Sequence, residues 1–130
     1  WSEVERLRLH ERRRRRVAAA FAGWGIPTAE CVVRVREVAP NVTLIASGGV
    51  RDGIDVATSL ALGADVAGIA GAFLRAAAQS EEAAADLAWE LASTLRIAMF
   101  AIGAQSIEEL KKTQRLQPRH PERGESGVEG

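Results

Sequence analysis

Apolar residues along this chain fall into short runs and helical stripes, separated by glycine, proline and charge. Residues 2–16 are polar and mixed in charge, with the arginine run 12–16 following Glu3, Glu5 and Glu11. Residues 17–21 form a short apolar patch. Gly23-Trp24-Gly25-Ile26-Pro27 is a turn, because two glycines and a proline do not continue a helix. Thr28 is placed to cap the next helix, with Glu30 in its first turn, where the helix dipole favours an anion. Cys31, Val35, Val38 and Ala39 predict the apolar stripe of that helix, and Pro40 its end. Residues 43–47 are apolar without alternation, the pattern of a strand buried on both faces. Gly48-Gly49 ends it. Asp52 caps a further helix with Asp55 in its first turn, Val56 and Leu60 on its apolar side and Gly63 after its last turn. Residues 66–70 predict a second buried strand and 71–78 a short helix. Ser80 caps a long helix whose stripe is Leu87, Leu91, Leu95, Ala98 and Ile102, closed by Gly103. Ser106-Ile107-Glu108-Glu109 is a capping box opening one last helix.

Buried strands alternating with helices predict parallel βαβ units with right-handed connections, an α/β fold. Two such strands leave both sheet edges open and do not suffice for a stable parallel sheet. The simplest source of partner strands is the N-terminal part of the same barrel, so the expectation is the C-terminal part of a (β/α)8 TIM barrel; the usual place of a phosphate cup in such barrels makes it about strands 7 and 8 with their helices. Residues 1–116 would form it, and residues 117–130, with Pro118, Pro121, Gly124, Gly127 and Gly130, a polar flexible tail. The chain opens on Trp1 rather than Met, which fits a piece of a longer protein.

Composition narrows the function classes. Hydrophobic residues make up 47% of the 130, enough for a packed core and against disorder. Lys+Arg and Asp+Glu are both 17, so the net charge is zero and a dedicated nucleic-acid binder is disfavoured. The arginine run then reads as a solvated helix face or a subunit contact. A single Cys allows no internal disulfide and no cysteine-based zinc site, which suits a cytoplasmic setting. Cys31 lies on a helical stripe and reads as a small buried hydrophobe. Trp24 and Trp89 read as core or interface anchors. His10 and His120 lie far apart in charged stretches with no ligand spacing around them. No apolar run approaches the roughly 20 residues of a membrane span; the longest, 66–74, is broken by glycines.

The sharpest chemical feature is Ser47-Gly48-Gly49-Val50-Arg51-Asp52-Gly53, a turn from a strand into a helix. Glycines let backbone amides approach an anion, and the helix start adds partial positive charge. The second strand also ends in small residues, Ala67-Gly68-Ile69-Ala70-Gly71-Ala72, leading into a helix. Either turn alone is also what a tight βα connection needs. The pair, one helix apart, points to a shared phosphate cup, which (β/α)8 barrels place after strands 7 and 8 beside a short extra helix. Arg51 follows the first turn directly, where its guanidinium could pair with phosphate or simply face solvent.

Phe21-x-x-Trp24-Gly25-Ile26-Pro27-Thr28-Ala29-Glu30, Ile45-Ala46-Ser47-Gly48-Gly49, Ala61-Leu62-Gly63-Ala64-Asp65 and Gly68-Ile69-Ala70-Gly71-x-Phe73-Leu74 resemble the type 2, FMN-dependent isopentenyl-diphosphate delta-isomerases, in their C-terminal portion. The Gly-Gly and Ala-Leu-Gly-Ala-Asp elements are shared with other flavin and nucleotide barrels; the Trp-Gly-Ile-Pro-Thr stretch makes the match specific. The resemblance implies FMN contacts at Gly49, Val50, Arg51, Ala70 and Gly71. It implies interconversion of isopentenyl and dimethylallyl diphosphate with reduced FMN, Mg2+ on the substrate diphosphate, NADPH as reductant and a homo-oligomer. It places no catalytic or metal-binding residue in this segment, which by itself would be inactive. The competing readings are another FMN barrel, of the α-hydroxy-acid oxidase or IMP dehydrogenase kind, and a non-catalytic module using the basic arm.

Overall fold

A computed structural model describes residues 12–116. Along it run α1 (Arg12–Ala20), α2 (Thr28–Val38), β1 (Ile45–Ser47), α3 (Gly53–Ala61), β2 (Val66–Gly68), α4 (Gly71–Ala77), α5 (Glu81–Ile102) and α6 (Ile107–Lys112). The strands pair in parallel, Ile45 with Val66, Ala46 with Ala67 and Ser47 with Gly68. With α3 as the crossover, this is the expected βαβ unit of an α/β fold. The expected tail, 117–130, lies outside the described residues, as do His10 and His120.

Most helix ends follow the local chemistry of the sequence. The Asp52 carboxylate accepts from Ile54 N at 2.9 Å and Asp55 N at 3.0 Å, opening α3. Ser80 Oγ accepts from Ala83 N, opening α5, and Gly103 closes it at φ 76°. At α6, Ser106 Oγ accepts from Glu109 N, while the Glu109 carboxylate accepts from Gln105 N, one residue earlier than in a regular capping box.

Thr28 departs from expectation. Pro27 holds the cap position of α2 without a side-chain bond, and the Thr28 hydroxyl donates instead to Gly48 O at 2.6 Å. The buried face of α2 is also displaced by one position from the predicted stripe. Val32 is buried, whereas Val38 is 86% exposed and Cys31 is half-buried. Arg36 explains the shift: it shares the inner face with Val32 because it must reach Asp65. Its Nη2 donates to Asp65 Oδ2 at 2.8 Å and its Nε to Gly63 O at 2.8 Å.

Asp65 ties four elements together at the N-terminal ends of the strands. Besides Arg36 of α2, it accepts from Lys111 Nζ of α6 at 2.6 Å and from Leu44 N, just before β1, at 3.0 Å. The Lys111 ammonium, then the Leu44 amide and the Arg36 guanidinium, hold its carboxyl well below the usual carboxylate range.

Two small apolar clusters fill the interior. Val32, Ala46 and Ala64 join α2 to the strands; Ala57, Leu60 and Leu110 join α3 to α6. Of the α5 stripe, Leu95, Ala98 and Ile102 pack against the cluster of α3 and α6, and all its members are half-buried. The strands, expected to be covered on both faces, are covered on one. Ala46 is 2% exposed, while Ile45 and Val66, paired on the other face, are 62% and 49% exposed. Trp24 and Trp89 are exposed, so neither is a core residue among the described residues.

Candidate functional site

The C-terminal ends of β1 and β2 open into one cleft of about 550 Å³. Ser47 to Arg51 supply one wall, and Gly68, Ala70, Gly71 and Ala72 the other. Every residue expected to contact the cofactor, Gly49, Val50, Arg51, Ala70 and Gly71, lines this cleft. They converge because the parallel pairing puts both strand ends at the same level.

The first wall depends on glycine. Gly48 and Gly49 take φ values of 99° and 76°, a left-handed conformation that side chains disfavour. A Cβ on Gly49 would meet nothing within 4 Å, so its backbone is open to an approaching group. A Cβ on Gly48 would lie 3.2 Å from Thr28 Oγ1, so that residue is also held close to the helix behind it.

The second wall is the start of α4. Ala70, at the cap position, makes no side-chain cap bond. Leu74 N donates to Ala70 O, so the amides of Gly71, Ala72 and Phe73 precede that bond. Gly71 needs no left-handed backbone; a Cβ there would meet only Arg75 Nη1, at 3.5 Å.

Two guanidinium groups stand at the cleft. Arg51 is largely exposed, and its Nε and its backbone N both donate to Asp55 Oδ2, at 3.2 and 3.1 Å. Asp55 thus fixes the arginine while offsetting part of its charge. Arg75 was missed by the sequence reading; its signal was its place four residues after Gly71, which returns it to the same side of the helix. Thr28 also lines the cleft.

Backbone amides beside two cations are suited to a phosphate. Among the described residues, those lining the cleft include no histidine, lysine or carboxylate. No group of three or more His, Cys, Asp or Glu among the described residues could hold a metal ion. The groups lining the cleft are thus suited to holding an anion, with the Asp55 carboxylate bonded to Arg51 beside them. No helix among the described residues is long and apolar enough to cross a membrane.

A family model described as FMN-dependent dehydrogenase matches residues 24–117. The chain belongs to this family. Within this FMN-dependent family it is similar to proteins named isopentenyl-diphosphate delta-isomerase. The one from Nostoc sp. is 47% identical over 117 residues, covering 90% of this chain and 33% of the relative. That from Oceanobacillus iheyensis is 42% identical over 116 residues, 89% of this chain and 33% of the relative. That from Xanthobacter autotrophicus is 50% identical over 100 residues, 77% of this chain and 29% of the relative. These relatives bear out the resemblance carried by the Trp-Gly-Ile-Pro-Thr stretch. The chain spans about a third of their length.

Proposed function

We propose that this chain forms strands 7 and 8 of a (β/α)8 barrel and supplies the phosphate-binding end of an FMN site. The enzyme would interconvert isopentenyl and dimethylallyl diphosphate. The observation that carries this is the convergence of Gly49, Val50, Arg51, Ala70 and Gly71 on one cleft at adjacent parallel strand ends. In (β/α)8 barrels, that end of strands 7 and 8, beside a short extra helix, is the usual phosphate position, and α4 supplies such a helix. The exposed pair Ile45 and Val66 suits an inner face that the other strands of a closed barrel would cover.

The donor set fits a phosphomonoester. Gly49 and Gly71 bring amides from opposite walls, Val50 and Ala70 shape the approach, and Arg51 and Arg75 add positive charge. Bound reduced FMN would supply the acid–base chemistry. These residues bind and orient its phosphate, which fixes where the rest of the cofactor extends. Mg2+ on the substrate diphosphate, NADPH as reductant, a homo-oligomer and a cytoplasmic setting complete the proposal on resemblance alone.

A second reading, an FMN-dependent oxidoreductase of the same barrel type, is favoured by the description of the family model. The names of the relatives favour the isomerase. The protein at its full native length, purified with FMN and a reductant, separates the two. Isomerisation of isopentenyl diphosphate that requires reduced flavin supports the first. Oxidation of an α-hydroxy acid by the protein loaded with oxidised FMN, which takes up the two electrons, without isomerisation, supports the second.

A further inference from the structure

The hydroxyl of Thr28 makes no cap bond in its own helix; it reaches across to the glycine turn, donating to Gly48 O at 2.6 Å and lying 3.3 Å from Ser47 O. In a trans peptide the C=O and the next N–H point to opposite sides, and no described peptide is cis. Fixing Gly48 O therefore also fixes the direction of Gly49 N–H. The peptide in question joins two glycines at φ 99° and 76°, with the greatest freedom to rotate. If it flipped, a carbonyl would take the place of the amide, and a carbonyl repels an anion. Pro27, at φ −54°, brings Thr28 to the turn on a stiff approach.

We propose that Thr28 is a positioning residue, whose hydroxyl holds the Gly48–Gly49 peptide with the Gly49 amide directed to a bound phosphate group. The proposal rests on the reading of the cleft as an FMN-phosphate site. It assigns a role to the threonine of the Trp-Gly-Ile-Pro-Thr stretch, a residue that contributes neither a cap nor a charge.

The test uses the full-length protein and titrates FMN and riboflavin, which lacks the phosphate, by flavin fluorescence. Thr28→Val keeps the shape and removes the donor; Thr28→Ser keeps the donor. Gly71→Val, which crowds the opposite wall, is the reference for the site itself. Loss of one positioning hydrogen bond is expected to weaken FMN about 3- to 10-fold in Thr28→Val. Riboflavin affinity should change less than about twofold, and Thr28→Ser should keep FMN affinity within about twofold of the parent. If Gly71→Val weakens FMN and Thr28→Val does not, the positioning role is overturned while the phosphate site stands. Equal weakening of FMN and riboflavin by Thr28→Val, or failure of Thr28→Ser to restore affinity, also overturns it. If Gly71→Val leaves FMN binding unchanged, the site reading falls and the Thr28 role falls with it.

Discussion

Replacing Gly53 with alanine sets two physical effects against each other, and the sign of the result decides between them. Gly53 opens α3 with no left-handed backbone, so alanine suits its conformation. Helix propensity alone would then stabilise the protein by about 0.5–1 kcal/mol. Packing predicts the opposite. A Cβ on Gly53 would lie 2.5 Å from Leu91 O and 2.8 Å from Thr94 Cβ, and closer still to Leu95 N. Ordinary contact begins at 3.4 Å, so α5 would have to withdraw by about 1 Å. Two of the three obstacles are backbone atoms of a 22-residue helix, which no rotamer change can move aside. Overpacking of this kind costs about 1–3 kcal/mol. The displacement would spread to Leu60 and Leu95, which share the apolar cluster between α3 and α5. Urea unfolding of the full-length protein, followed by circular dichroism, should show a lower midpoint with an unchanged slope. An unchanged or raised midpoint would refute the close contact between α3 and α5.

Leu110 is fully buried between α6 and α3, so Leu110→Ala should cost about 2–5 kcal/mol by urea titration; the half-buried Leu91 should cost less. The carboxyl of Asp65 is depressed in the folded state, so its stabilising effect is present above the unfolded value near 4 and is lost as pH falls from there. Urea midpoints measured from pH 7 to pH 3 should therefore fall more steeply in the parent than in Asp65→Asn, and parallel curves would contradict the network. Arg75→Ala should weaken FMN more than riboflavin, by about 3-fold or more, if its guanidinium serves the phosphate. Equal affinities for FMN in parent and variant would remove Arg75 from the site.

Features governed by neighbouring residues were legible in the sequence. Asp52, Ser80 and Ser106 cap the helices they precede, because a cap needs only an acceptor two or three residues away. The five candidate contacts lie together because strand ends and glycines set the position of a βα turn. What escaped depends on partners distant in the chain. Thr28 reads as a cap until Gly48, 20 residues on, is seen to take its hydroxyl. The α2 stripe reads as Cys31, Val35 and Val38 until Asp65 turns Arg36 inward and brings Val32 with it. Gly53 reads as part of a turn from a strand into a helix, and only the approach of α5 shows that it must lack a side chain. Nothing in the local sequence singles out Arg75; it joins the site because the start of α4 and the turn after β1 line one cleft.

The most direct test of the cleft is the affinity of Gly71→Val for FMN compared with riboflavin. Position 71 is suited to it, because its backbone accepts a side chain and only the mobile end of Arg75 stands nearby. Valine would crowd the phosphate away from the amides of both walls. Loss of two amide contacts to a charged group, at about 1.5–3 kcal/mol each, lowers FMN affinity by more than about tenfold. Riboflavin affinity should stay within about twofold, since riboflavin has no phosphate to lose those contacts. Equal weakening of the two flavins, or FMN affinity unchanged from the parent protein, would contradict a phosphate site at the ends of β1 and β2.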